Sequence, residues 1–259
     1  MASSDFFAYF ADYFGERWES LLPALRGEIV YETIQHPGRE PYYLDEAAAF
    51  AARSLGVKPG MNVLDMCAAP GGKTLVLANA LAGSGSLQSN DRSPDRRLRL
   101  QHNVENSLPQ ELAAVVKVSG YDGVRFGMYR KNEFDRILLD APCSSERHVM
   151  ESEKYLAEWS PKRIALIAIT QGALLASAVD ALKPGGQLLY STCALTQAEN
   201  DEVVRKILKK RKGKVRVLPL SPEIAGTDVT EFGLQMLPDR CGGRGPIYCA
   251  KLEKLTSEE

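Results

Sequence analysis

Two cysteines fifty positions apart each follow a run that reads as a buried strand: Cys143 in Asp140-Ala141-Pro142-Cys143-Ser144, and Cys193 in Ser191-Thr192-Cys193. A thiol at the end of a strand stands at the rim of a sheet, within reach of substrate, so both are candidate nucleophiles. Upstream, Cys67-Ala68-Ala69-Pro70-Gly71-Gly72-Lys73-Thr74 follows the apolar run Asn62-Val63-Leu64-Asp65-Met66 and reads as a strand-to-helix turn. Gly71 and Gly72 let backbone approach a ligand, and the helix that follows offers unpaired N–H groups and a positive dipole end. A small-ligand loop beside two strand-end thiols implies transfer chemistry.

Spacing narrows the ligand. A phosphate-binding loop needs glycine five positions before Gly72, where this chain has Cys67, and a dinucleotide loop needs Gly-x-Gly-x-x-Gly, where it has Ala-Ala-Pro-Gly-Gly. An acid that would hold ribose hydroxyls is present as Asp91, about twenty residues on, at the end of the next strand. The expected ligand is adenosine-like, without a pyrophosphate cradle.

The elements that must carry these residues are legible as an alternation. From Val57 onward, strands are expected at 62–66, 86–90, 113–118, 134–139 and 186–191, and helices at 73–82, 94–106, 161–182 and 196–211. Ser160-Pro161 opens the third helix and Lys183-Pro184-Gly185-Gly186 closes it. Two last strands, near 214–219 and 246–253, are expected to form an antiparallel hairpin at the sheet edge, with 220–245 irregular because of Gly242, Gly243, Gly245 and Pro246. This is an α/β chain with a doubly wound, seven-stranded, mostly parallel sheet over 57–259. Residues 1–56 read as a mostly helical extension: a helix from Asp5 to Leu22, a short strand near Ile29–Thr33, a linker at His36-Pro37-Gly38 and a helix over 44–55.

With 259 residues and 44% hydrophobic content, the chain can bury a large core. Met1 to Phe10 lack the basic start of a secretory signal and no apolar run is read as membrane-spanning, so the expectation is a cytoplasmic protein with no membrane. Five cysteines without a Cys-x-x-Cys pair argue against a disulfide framework or a zinc site, and no metal is expected. A net charge of −1 is unlike a general nucleic-acid binder, but two basic clusters stand out: Arg205 to Arg216, and Arg92, Arg96, Arg97 and Arg99.

The three motifs, in this order and spacing, resemble the RNA (cytosine-5)-methyltransferases of the Sun/Fmu type over roughly residues 42–253. The resemblance implies a Rossmann-like sheet, S-adenosylmethionine as cofactor and RNA, ribosomal or transfer, as partner. By position it puts Cys67, Ala68, Ala69, Pro70, Gly71, Gly72 and Lys73 at the cofactor, Asp91 on its ribose, Arg96 in the Asn-Asp-x-Ser-x-x-Arg pattern, and Asp122 and Gly123 at the adenine. Asp140 falls between cofactor and target base, Cys193 matches the nucleophile and Cys143 the second cysteine.

The chemistry calls for these types. A thiolate adding to carbon 6 of cytosine makes carbon 5 nucleophilic toward a methylsulfonium. A protonated Asp140 is expected to donate at ring nitrogen 3, Cys143 to assist release, and Cys193 to lie in polar or positive surroundings that hold its thiol below about 8.5. His148 is expected at the substrate or in a solvated loop, and Asp65 to orient the cofactor loop.

The chain departs from the commoner Ser-Gly-x-Gly after the first cysteine, having Ser144-Ser145-Glu146-Arg147-His148. That resembles the branch that includes organellar ribosomal and transfer RNA enzymes, which leaves an organellar location open. Ala194 replaces a frequent serine, and Gly245-Pro246-Ile247-Tyr248 a more usual aromatic pair. No appended RNA-binding module is read on either side, so target choice is expected to come from the extension, the basic segments or a protein partner. A monomer is expected, acting on unstacked or loop RNA.

Overall fold

The computed structural model describes residues 2–256. Two helices, α1 (Ala2–Phe14) and α2 (Trp18–Arg26), precede a two-stranded antiparallel hairpin of β1 (Tyr31–Ile34) and β2 (Tyr42–Asp45), and α3 (Glu46–Ser54) leads into the main sheet. One helix was expected where α1 and α2 stand. Gly15, at φ +57, turns the chain into a 3-10 segment between them.

The sheet begins β3 (Asn62–Asp65), α4 (Gly72–Leu81), β4 (Ser86–Asn90), α5 (Pro94–Ser107), α6 (Gln110–Ala113), β5 (Val116–Ser119) and α7 (Phe126–Tyr129). It continues through β6 (Phe134–Asp140), α8 (Glu146–Val149), α9 (Glu153–Glu158), α10 (Pro161–Ala181), β7 (Leu182–Thr192) and α11 (Asp201–Lys210). Four strands follow: β8 (Val215–Leu218), β9 (Asp228–Val229), β10 (Leu234–Met236) and β11 (Ile247–Lys254). The order is β5-β4-β3-β6-β7-β11-β10-β9, with β8 also on β11, and the first four pairings are parallel. Strand order reverses between β3 and β6, and the crevice beyond their carboxyl ends is where such sheets hold ligands.

Both faces of the sheet are covered, so β3 and β6 bury Val63, Leu64, Ile137, Leu138 and Leu139 completely. Ala47 to Ala52 of α3, with α4 and α5, pack on one face, and α10 and α11 cover the other. A third apolar cluster joins the extension, through Phe6, Phe10, Trp18 and Leu21, to Val149, Trp159 and Leu195 beside the two thiol loops.

Several boundaries differ from the expected ones, each for a local reason. Nine strands form the main sheet among the described residues, not seven, because 220–245 contributes β9 and β10: Leu234 to Met236 pair with Ile247 to Cys249. β11 therefore lies inside the sheet, bordered by β7 on one side and by β8 and β10 on the other. β7 starts at Leu182, paired with Phe134, so Lys183-Pro184-Gly185-Gly186 lies within the strand region and a register shift absorbs it. The helix expected from 196 starts only at Asp201. Asn200 bonds Thr192 Oγ1 at 2.6 Å and the Ala194 carbonyl at 3.1 Å, which holds the intervening chain in a turn. By length and composition α10 could cross a membrane, contrary to the expectation, but its Leu174, Leu175 and Val179 are buried against the sheet.

Candidate active site

The loop after β3 is built from hydrogen bonds that leave little freedom. The Ala68 amide bonds the Asn90 carbonyl at 2.8 Å and the Ala69 amide bonds Asp91 Oδ2 at 3.3 Å, while Arg96 Nη2 and Asn103 Nδ2 hold the carbonyls of Ala69 and Pro70. Asp91 is buried, also accepts from the Ser93 amide at 3.0 Å, and pairs with Arg96 at 3.4 Å. Asp65 sits beneath, fully buried, accepting from Thr74 Oγ1 at 2.7 Å. Burial pushes its carboxyl up to about 7, and nearby Asp140 adds to that.

The two glycines are explained by protein contacts. Gly71 caps α4 at φ +119, which no other residue adopts easily. A Cβ on Gly72 would lie 2.8 Å from both Leu44 and Tyr42, so glycine there lets the β1–β2 hairpin, not a ligand, approach the loop. Tyr42 and Leu44 thereby line a small cavity with Asp65, Cys67 and Lys73. Sequence reading missed both: a linker at His36-Pro37-Gly38 and a helix over 44–55 were expected, whereas Tyr42–Asp45 pairs with β1 as a strand and the helix starts only at Glu46, capped by Asp45.

At the next strand ends the expected residues converge. β6 and β7 pair with Asp140 opposite Ser191, which brings Cys143 Sγ to 2.9 Å from Cys193 Sγ. Cys67, Lys73, Arg96, Asp140, Cys143 and Cys193 line one cleft of about 410 Å³, and Cys67, Asp91 and Arg96 an adjoining one of about 390 Å³. Asp122 caps a 3-10 turn that begins at Gly123 and lines a third cleft, of about 450 Å³, with Tyr121 and Phe126. Gly123 itself packs on Leu174 and Met66.

The electrostatics separate the two thiols. A hydrogen bond from Cys143 pulls the Cys193 thiol below its ordinary value, against burial, and Ser145 assists; the same bond, with burial, drives Cys143 well above its own. Ser145 Oγ is 3.3 Å from Cys193 Sγ and 3.4 Å from Cys143 Sγ. Its φ of +52 is left-handed, at the position where the commoner pattern has glycine, so a strained serine supplies a hydroxyl to both sulfurs. Burial alone would lower the Lys73 ammonium, but the charge and hydrogen bond of Asp140, 2.7 Å away, raise it overall.

Asp140 differs from the expected hydrogen-bond donor. Oδ2 accepts from Lys73 at 2.7 Å and Oδ1 from Ser191 Oγ at 2.8 Å, so the side chain stands as an acceptor. Around Cys193 the surroundings are polar, as expected: two hydroxyl or thiol donors act there and the Lys73 ammonium interacts with the sulfur, with the charges of Asp140 and Glu146 opposing them. Burial pushes the Cys67 thiol up, and Cys241 and Cys249 are buried in the core. His148 is exposed and bonds Glu151 at 3.0 Å, whereas Arg147 ties the carbonyls of Gly245 and Gly27 together.

The basic clusters fall at opposite ends of the sheet. Arg96 and Arg97 brace the loop after β3 and the chain after β4, while Arg92 and Arg99 are exposed beside it. The second cluster runs down α11, away from Cys193. Lys214 O accepts from the Leu255 amide and Arg211 pairs with Asp180, both near Leu182, where β7 begins. Arg205 is tied to Glu202 and Glu231.

Comparison with known proteins agrees with this geometry. Residues 52–253 match the family model described as 16S rRNA methyltransferase RsmB/F. A mitochondrial tRNA (cytosine(34)-C(5))-methyltransferase of Mus musculus is 35% identical over 82% of this chain and 63% of its own length. The 5-cytosine rRNA methyltransferase NSUN4 of Bos taurus is 32% identical over 83% of this chain and 60% of its own. The chain thus spans about three fifths of the length of these curated relatives. The crystal structure of NSun6 from Pyrococcus horikoshii with SFG superposes with a TM-score of 0.72, at 27% identity, over 85% of this chain and 54% of that one. The loop after β3, the paired thiols and the extent of the match together make this chain a member of the RsmB/F family of 16S rRNA methyltransferases.

Proposed function

We propose that this chain methylates carbon 5 of cytosine in RNA, with S-adenosylmethionine as donor, through a covalent bond between Cys193 and carbon 6. The observation that carries the reading is the unequal thiol pair, 2.9 Å apart in the cleft that also holds Lys73 and Asp140. The thiol favoured as thiolate is Cys193 and the one favoured as S–H is Cys143, which is the division of labour the reaction requires.

The residues fit the cofactor on a separate ground. Asp65 Oδ1 is buried without a partner and lines the small cavity with Lys73, so an ammonium such as that of the methionyl part would satisfy it. Asp91 and Asp122 line the two further clefts, where ribose and base would lie. When bound, the cofactor supplies an electrophilic methyl group on sulfonium sulfur. The NSun6 structure with SFG, which shares this fold, supports a nucleoside ligand here.

The protein's own steps follow from the geometry. Cys193 thiolate adds to carbon 6, and its electron pair moves through the ring toward nitrogen 3. The Lys73–Asp140 pair, with Lys73 as the proton source, meets that charge, since both Asp140 oxygens are engaged as acceptors in this arrangement. Once carbon 5 has been methylated, its proton passes to water, the electron pair it leaves re-forms the carbon 5–carbon 6 double bond, and Cys193 departs as thiolate with the carbon–sulfur pair, received by the Cys143 S–H, while the proton lent to nitrogen 3 returns to Lys73.

Ribosomal RNA is slightly favoured over transfer RNA, because the matching family model is described by 16S rRNA although one relative acts on tRNA. The test is incubation with labelled S-adenosylmethionine and RNA from cells lacking the gene. Label at cytosine carbon 5 is expected; its absence from both ribosomal and transfer RNA sinks the reading.

A further inference from the structure

Behind the thiols lies a buried acid pair that the chemistry above does not use. Glu146 opens α8 on the Cys143 side, Glu199 stands in the turn after Cys193, and both are 0% exposed. Each reaches across to the other thiol's loop. Glu199 Oε2 accepts from the Ser144 amide, next to Cys143, at 3.0 Å, and Glu146 Oε2 accepts from the Leu195 amide, two past Cys193, at 3.1 Å. The remaining oxygens, Oε1 of each, both bond the Ser144 hydroxyl. Gln171 of α10 braces the arrangement, 2.9 Å from Glu199 Oε2 and 2.9 Å from the Pro142 carbonyl.

A hydroxyl has one hydrogen. Ser144 therefore donates to one carboxyl and accepts from the other, which must carry a proton. Among the described residues no Lys or Arg hydrogen-bonds or ion-pairs with either acid, and two bare charges buried together would be costly.

We propose that Glu146 and Glu199, bridged by Ser144 and sharing one proton, are positioning residues: a reciprocal clasp that holds the two thiol loops together and keeps Cys193 reactive while the proton is in place. The proposal rests on the reading of Cys193 as nucleophile and Cys143 as its partner. The titratable groups facing the clasp are Tyr9 and Tyr13 from α1, Tyr190 from β7 and the two thiols, and none brings positive charge. Charge on Glu146 raises both thiols, so losing the shared proton works against the Cys193 thiolate. Burial, then the charge of Glu199, lifts Glu146 to about 7, so that loss falls near neutral pH.

The test uses the full chain with Glu146→Gln, Glu199→Gln and the two alanine counterparts. Iodoacetamide alkylation of Cys193 across pH, and capture of the dithiol by phenylarsine oxide, read the thiols without any methyl transfer. Alanine removes the clasp, so arsenical capture and kcat for RNA methylation are each expected to fall about tenfold, with KM changed less than about twofold. Glutamine keeps the amide hydrogen bond and donates its own N–H to Ser144. Capture should then stay within about twofold of wild type, while the bend in the alkylation profile near neutral pH disappears. Folded alanine variants that capture the arsenical at the wild-type rate would overturn the positioning role. Glutamine variants that keep the bend overturn the shared proton, and they decide the matter if alanine prevents folding. If the wild-type chain methylates no RNA yet its thiols behave as stated, the functional reading fails and the clasp stands.

Discussion

The two ends of the central sheet carry opposite chemistry. At the carboxyl ends of β3, β4, β6 and β7 lie Asp65, Asp91, Asp140, both thiols and the partly buried ammonium of Lys73, whose charges are tuned by burial and short contacts. At the amino end of β7, the lysines of the segment from Arg205 to Arg216 are exposed, and its arginines at 205, 211 and 216 are each ion-paired. The richest run of positive charge in the sequence therefore lies at the wrong end to touch a base held at Cys193. Charge acts by where a strand delivers it: one partly buried lysine is ion-paired to Asp140 in the thiol cleft, while the run of solvated ones is screened at the other end.

The largest test of this contrast is at the thiols. Cys193→Ala is expected to remove methyl transfer and adduct formation, a loss of at least about 10⁴-fold. Cys143→Ala should still transfer methyl but accumulate a covalent protein–RNA complex on a denaturing gel. If Cys143→Ala is instead the variant that forms no adduct, the two roles are reversed.

Next in size is a pH effect on stability at the loop after β3. The Asp65 carboxyl goes from an ordinary value of 3.8 to about 7 on folding, so the folded state binds its proton more tightly than the unfolded one. Stability from this group is complete below about pH 4 and is lost as pH rises through about 7, a change of about 4 kcal/mol in the cofactor-free chain. Urea unfolding at pH 5 and pH 8 should show Asp65→Asn with a flatter profile than wild type. Equal slopes would mean that Asp65 is not held protonated.

Lys73→Met is expected to lower kcat about a hundredfold, since it removes the proton source paired with Asp140. Rates within a factor of about three of wild type, measured in single turnover, would leave Asp140 to act alone. The smallest effect belongs to the far end: replacing Lys209, Lys210 and Lys212 by glutamine should change RNA affinity less than about twofold, whereas Arg92→Gln with Arg99→Gln should weaken it several times more and reduce its salt slope. A larger loss from the lysine variant would show RNA wrapping to the amino end of the sheet.

Much of the site was legible because its signals are local. Glycine at positive φ, proline after Ser93 and apolar runs of strand length mark β3, α4, β4 and α5 within a residue or two of where they stand. The residues missed lack such signals. Tyr42 and Leu44 belong to a strand paired, among the described residues, with β1 alone, and they explain Gly72, which reads from sequence as a ligand approach. Glu146 and Glu199 look like surface acids in polar stretches; nothing in their neighbours announces that both are fully buried against Ser144. Likewise Ser145 departs from the glycine of the commoner pattern, yet only its backbone angle and its two sulfur contacts give that departure a chemical meaning.

The sequence by itself determined the alternation of strands and helices, the turn after β3 and the placing of the two cysteines just past strand ends, because strand, turn and cap preferences act over a few residues of chain. Tertiary structure decided the rest. The Asp140–Ser191 register of β6 and β7 sets two sulfurs fifty residues apart at 2.9 Å, and a slip of one position would turn the strand's side chains to the opposite face. The upward shift of the Asp65 carboxyl and the inequality of Cys143 and Cys193 depend on desolvation and Coulomb interactions between groups far apart in sequence, which exist only once the sheet has formed.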